Sequence, residues 1–279
     1  MTDSPAAERS PAQRAPRLPL VPKEHGASFM SVHALLLGVV AGFAAGGRDL
    51  PGLLLALGMG ALFLPLAGAV SVITHPRQGA AAKRRAVILG AAMAAGAVLA
   101  LVHGPARELV ILGAAGVLIG GLYGSSRWRT GARSIPTQLA AIAGITILAP
   151  LAWLLIAGAT DRWQLASPVA LLSFGGTVPY VRERVRRRKA CATTTGGRLR
   201  EGAVAVAWQV VAVALAIAAA AGGTVGWLVP VAFLPGATKV VVAIARPETR
   251  PPIKRIGYLE TGISTAFAIL AGLGLGLPP

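Results

Sequence analysis

Apolar residues run through this chain in long blocks and do not alternate with polar ones. Nine such blocks fall at 27–46, 51–73, 86–104, 108–124, 136–158, 165–181, 203–222, 224–245 and 256–277. Each is near the ~20 residues that carry a helix across ~30 Å of hydrocarbon. In lipid a helix satisfies its own backbone, which an open strand does not. The pattern therefore predicts an all-α, polytopic transmembrane bundle of about nine spans over residues 23–279. Gly222 and Gly223 separate the seventh and eighth blocks and predict a tight hairpin there. Pro230 and Pro235 interrupt the eighth block, but no pair of Gly- or Pro-broken helices is expected to recur in two halves, as it does in many transporters.

Composition agrees with the pattern. Mean hydropathy is +0.67, apolar residues make up 54% and charged residues 13%, about half the charged share of a soluble domain. Residues 1–22, rich in Pro, Ala and Arg, have no apolar core. They read as a disordered cytoplasmic tail and not as a signal peptide. The single cysteine, Cys191, lies in a basic loop, so no disulfide can form within the chain and a Cys-based metal site is not expected.

A net charge of +17 in a soluble protein would point to nucleic acid. Here the charge sits between the apolar blocks, so it is read as topology and no nucleic-acid partner is expected. With an inside N-terminus, only Arg48, Arg107 and Arg162 fall in the outer loops, and Lys239 lies within a span. The rest of the 27 Lys and Arg occupy the tail and the loops near 74–85, 125–135, 182–202 and 246–255. This bias predicts a multi-pass protein of the plasma membrane, N-terminus cytoplasmic and C-terminus outside. The spacings Gly42/Gly46, Gly116/Gly120 and Gly272/Gly276 allow close helix approach, expected within the bundle.

Ionisable groups in or near hydrocarbon are costly and mark candidate sites. Pro22-Lys23-Glu24-His25-Gly26 stands at the mouth of the first span, where it can anchor the interface or form the lip of a pocket for an anionic headgroup. His33, two turns deeper, is expected to be packed. Tyr123, Arg127, Arg129 and Arg133 lie in the loop between the fourth and fifth spans. Their guanidinium groups suit bidentate contacts with phosphate, and the same charges also serve as the inside signal. The run from Tyr180 to Lys189 extends the sixth span as an amphipathic stub, mostly solvated or on anionic lipid, with Arg182 and Glu183 the site candidates nearest the span. Lys239, with Arg246 and Lys254 near it, can snorkel to the interface or neutralise a buried anion. Glu260, one turn into the last span, needs a basic partner, Lys239 or His25. No cofactor and no metal site are expected: the chain has no acidic residue between Asp49 and Glu108, no HExxH and no P-loop.

Three stretches, Pro22-Lys-Glu-His-Gly26, Pro179-Tyr-Val-Arg-Glu183 and Pro252-Ile-Lys-Arg-Ile-Gly-Tyr-Leu-Glu260, resemble the YwiC-like membrane protein family, which implies no particular reaction. Tyr123, Arg127 and Pro136 also resemble the diphosphate-holding turn of the UbiA superfamily of prenyltransferases. That likeness implies nine spans, an inside N-terminus and a cytoplasm-facing site. Its Asp-rich, magnesium-binding motifs are missing here: the corresponding loops read Thr74-His-Pro-Arg-Gln-Gly79 and Arg182-Glu-Arg-Val-Arg186.

The expected function is thus a membrane protein, in contact with lipids, with a cytoplasm-facing basic pocket for a lipid-like or isoprenoid phosphate. Whether it catalyses a reaction is left open. The alternatives are a small-molecule or ion transporter, a UbiA-type prenyltransferase, and a non-catalytic partner of other membrane proteins. The topology is checked with reporter fusions at Thr194 and Pro279, expected on opposite sides of the membrane. Reporters on the same side would refute the nine-span arrangement.

Overall fold

The computed structural model describes residues 25–72, 79–131, 134–187, 195–245 and 253–279. They form α1 (His25–Ala44), α2 (Leu50–Val72), α3 (Gly79–His103), α4 (Ala106–Thr130), α5 (Ile135–Thr146), α6 (Leu148–Ala157), α7 (Ala166–Gly175), α8 (Thr177–Arg187), α9 (Thr195–Ala221), α10 (Leu228–Ala245) and α11 (Ile253–Gly276), with one 3-10 turn at Trp163–Leu165. There are no strands among the described residues. α5 with α6, and α7 with α8, each make one interrupted pass, which gives the nine passes that the apolar blocks predict. Among the described residues seven stretches are long and apolar enough to cross a membrane. The first pass gives a shorter apolar helix among the described residues, Phe29–Ala44, and the sixth is split and ends in charge.

Short connections at 45–49, 104–105, 158–165 and 222–227 fold successive passes back antiparallel. The described Lys and Arg at the start of α3, the end of α4, the end of α8 and the start of α9 thereby collect at one end of the bundle, the basic end. The surface between the ends is apolar: Val102 and Val117 are 82% and 76% exposed, as lipid-facing side chains must be. The core is built from α1, α6, α7, α10 and α11 around Trp153, Phe174, Phe233 and Phe267. The Phe267 ring meets Phe174 and Phe233 edge-on, at 5.9 and 5.1 Å between centroids.

The expected small-residue contacts divide. A Cβ on Gly272 or Gly276 would meet the α1 backbone at Leu37 or Ala41, so this pair sets how closely α11 lies on α1. Gly42 packs on Ile156, whereas its partner Gly46 ends the turn after α1 at φ +88°. Gly120 faces open space, so the third pair makes no seam. The closest approach is Gly52, where an added Cβ would strike the Leu155 carbonyl, and Gly38 against the Ala149 carbonyl is nearly as tight.

One sequence expectation is corrected. The eighth pass is a single helix, α10, with Pro235 inside it and Pro230 in its first turn. The breaks fall instead in two adjacent passes, at Ile147 and Gly176. Each lies three residues before a proline, Pro150 and Pro179, whose missing N–H and bulky ring disrupt the preceding turn. Both breaks stand eleven or twelve residues from the basic end, a depth of about 17 Å. The freed carbonyls are satisfied locally. The Gly176 N–H turns to the Phe174 carbonyl, and Leu172, its usual acceptor, receives the Trp208 indole N–H at 2.7 Å. At the other break the Thr146 hydroxyl donates to Ala143 at 2.9 Å.

Gly38→Ala is expected to destabilise the protein by about 1–3 kcal/mol, the usual cost of overpacking. Gly113→Ala, which meets nothing within 4 Å, should not. Thermal unfolding of the two variants in detergent checks the contrast.

Candidate functional site: a buried charge cluster at the basic end

Lys239 lies in the last half of α10 and Glu260 in the second turn of α11. Because the two helices are antiparallel, these positions meet near the basic end. The Lys239 ammonium donates to both carboxylate oxygens of Glu260, at 2.7 and 2.9 Å, with side chains only 5% and 19% exposed. The ammonium also lies 4.3 Å from the centroid of the Tyr180 ring, a cation–π distance. Tyr180 is buried on α8, and Glu183 and Arg184 are buried beside it. Arg184, one turn after Tyr180, engages its hydroxyl, and Glu183 and Glu260 lie within electrostatic reach of that group. Two anions and two cations thus sit around one phenol inside a lipid-embedded bundle.

Of the two partners the sequence allows Glu260, the fold supplies Lys239. Lys239 neither snorkels nor waits for an external anion. Arg184 is more deeply buried than the half-exposed Arg182. The sequence places the weight on Arg182 and Glu183, and the α-helical spacing from Tyr180 is the signal that would have found Arg184.

A second group occupies a neighbouring corner of the same end. The stretch Tyr123–Arg129, expected in a loop, continues α4 by almost two turns. Arg127 donates to the Tyr123 hydroxyl at 2.9 Å and stands in the final turn of α4, where a cation complements the helix dipole. Trp128 is 92% exposed, at a depth suited to the headgroup boundary. Ser126, Thr130, Ser134 and Thr137 share hydrogen bonds of 2.6–2.9 Å around the α4–α5 turn, and Ser134 caps α5 through the Thr137 N–H. α5 touches α8, so this corner and the charge cluster lie on neighbouring passes. Lys23, Glu24, Arg133 and Arg246 lie outside the described residues, as do the side chains of His25 and Lys254.

His33 is packed, as expected. It is 4% exposed and bonds the Phe29 carbonyl through Nδ1 at 2.5 Å and the Thr265 hydroxyl through Nε2 at 2.9 Å, tying α1 to α11. At the opposite end of the bundle, His103 bonds Asp49 at 2.6 Å, a pair that sequence reasoning missed because 54 residues separate the two. The Gly52 N–H, foremost, and His103 hold the Asp49 carboxyl below its ordinary range. Among the described residues no three His, Cys, Asp or Glu side chains gather as a metal site would require.

Residues 21–153 match the family model described as YwiC-like protein. The match begins before α1 and ends within α6, so it includes Pro22–Gly26 and the Tyr123–Arg127 corner. Pro179–Glu183, Lys239 and Glu260 lie beyond it. No curated protein and no solved structure matches the chain. The likeness to the UbiA superfamily rests on Tyr123, Arg127 and Pro136 alone.

Removing one member of the buried pair, by Lys239→Met or Glu260→Gln, is expected to cost about 3–5 kcal/mol, because the other charge is left unpaired in a medium of low dielectric. The double replacement by Met should recover most of that loss. Unfolding midpoints of the three variants measure it. A double variant as unstable as the worse single one would show that the pair itself holds α10 to α11.

Proposed function

We propose that this YwiC-like membrane protein binds an amphipathic anion, a lipid-like or isoprenoid phosphate, at the basic end of the bundle, and that this end faces the cytoplasm. The observation that carries the reading is the buried set Tyr180, Glu183, Arg184, Lys239 and Glu260. Ionised groups inside a membrane bundle are costly. A close-packed apolar pair would join α10 and α11 as well as Lys239 and Glu260 do. The residues around this set are cationic: Arg127, Arg129, Arg182 and Arg200 belong to the same end, with Lys83, Arg84 and Arg85 on the first turns of α3. A phosphate there is neutralised by direct Arg and Lys contacts, without the carboxylate-held magnesium that expels a diphosphate in prenyl transfer.

A transporter is the second reading, favoured by the paired breaks at Ile147 and Gly176. Interrupted helices at mid-depth are where many carriers hold their solute. Tracer flux in proteoliposomes separates the two readings, since an anion receptor shows saturable binding and no flux.

Binding of a polyprenyl phosphate and of phosphatidic acid to the purified full-length protein is expected to survive EDTA. It should fall by about tenfold in Arg127→Ala, the usual cost of losing one charge-assisted contact, and also in Lys23→Ala. Binding that disappears with EDTA and returns with Mg²⁺ would overturn direct anion capture and promote metal-assisted chemistry.

A further inference from the structure

Gln209 lies near the middle of α9, on the face toward α8 and α10. It is 8% exposed, and its amide forms no hydrogen bond with any described residue. Its surroundings are two glycines. A Cβ on Gly176, at the break in the sixth pass, would lie 2.8 Å from Nε2, and one on Gly236, next to Pro235 in α10, would lie 3.5 Å from Oε1. Those absent side chains make the room that the amide occupies. A carboxamide without a partner in hydrocarbon is unfavourable, and nothing in the packing requires one. Leu or Met would fill the same volume.

The position has a direction. Tyr180 lies four residues beyond Gly176 on α8, and Lys239 three residues beyond Gly236 on α10, both toward the basic end. Ala205, one turn from Gln209 on α9, packs with Tyr180 and Val240. Gln209 therefore stands about one helical turn, ~5 Å, deeper in the bilayer than the Lys239–Glu260 pair. α9 packs along α10 and meets α7 and α8 around Trp208, Gln209 and Ala205, so the amide lies at the seam between α8 and α9.

We propose that Gln209 is a binding residue for the ester carbonyl of a glycerophospholipid whose phosphate rests at the basic end. The amide N–H donates to the carbonyl, and the acyl chains continue along the seam. This rests on the phosphate-binding reading and narrows it. In a diacyl glycerophosphate a carbonyl hangs a short glycerol link below the phosphate, within reach of a donor one to two turns deeper. A polyprenyl phosphate has only hydrocarbon at that depth and leaves the amide unpaired.

The test compares a diacyl phosphatidic acid with its diether analogue of the same chains, and with a polyprenyl phosphate, by competition in native mass spectrometry of the full chain. The wild-type protein is expected to prefer the diester by about fivefold or more, the worth of one buried hydrogen bond. Gln209→Leu should bind the diester no better than the diether. The wild-type comparison alone reads the carbonyl, so the test stands even if the variant does not fold. Equal wild-type binding of diester and diether would overturn the assignment while leaving the phosphate reading intact. A preference that persists in Gln209→Leu would move the carbonyl contact elsewhere and overturn it too. Binding of none of the three lipids would refute phosphate binding and, with it, this inference.

Discussion

A backbone carbonyl that loses its helical partner inside hydrocarbon has no water to turn to, and much of this fold follows from that constraint. Pro150 and Pro179 each disrupt one turn of a membrane-crossing helix, and the bundle must supply what the turn lost. At the sixth pass it does so with Trp208, whose indole reaches Leu172 across the helix boundary. The glycines at 175 and 176 are the counterpart of that bond, since a Cβ on either would collide with the indole. One hydrogen bond thus dictates a tryptophan on α9, two small residues on α7, and the line along which the two passes meet.

The same low dielectric governs the side chains. Lys239 and Glu260 are tolerable near the basic end because each cancels the other and Tyr180 offers its ring face to the ammonium. His33 is tolerable because both ring nitrogens have partners, one on its own helix and one on α11. Gln209 departs from this rule, as the Gln138 amide oxygen and the Trp153 indole N–H also do, and its place one turn below the charge cluster is why it is read as a ligand contact.

The YwiC-like match and the buried charges divide the chain between them. Residues 21–153 supply α1 to α5, the first part of α6 and the Arg127 corner, while the cluster built on Tyr180, Lys239 and Glu260 belongs to the later passes. α1 connects the halves: it packs on α6 in the first and, through Gly272 and Gly276, on α11 in the second.

Length, apolarity and the placement of Lys and Arg are enough to read an all-helical bundle of about nine passes from the sequence, because the bilayer imposes one spanning length on every pass. The need of Glu260 for a cation was also legible, since an isolated carboxylate at that depth is unaffordable. Which cation answers it was not. Lys239 and His25 are equal candidates along the chain, and only the antiparallel packing of α10 on α11 brings the ammonium within 2.7 Å. The breaks at Ile147 and Gly176 were hidden for a similar reason: prolines occur in α2 and α10 as well, and those helices continue through them. Whether a proline breaks a helix in lipid depends on whether a neighbour can satisfy the freed carbonyl, and neighbours are decided by tertiary structure. Arg184 and Gln209 show the same limit, since burial is a property of the face a residue shares with other helices and not of its place in a run.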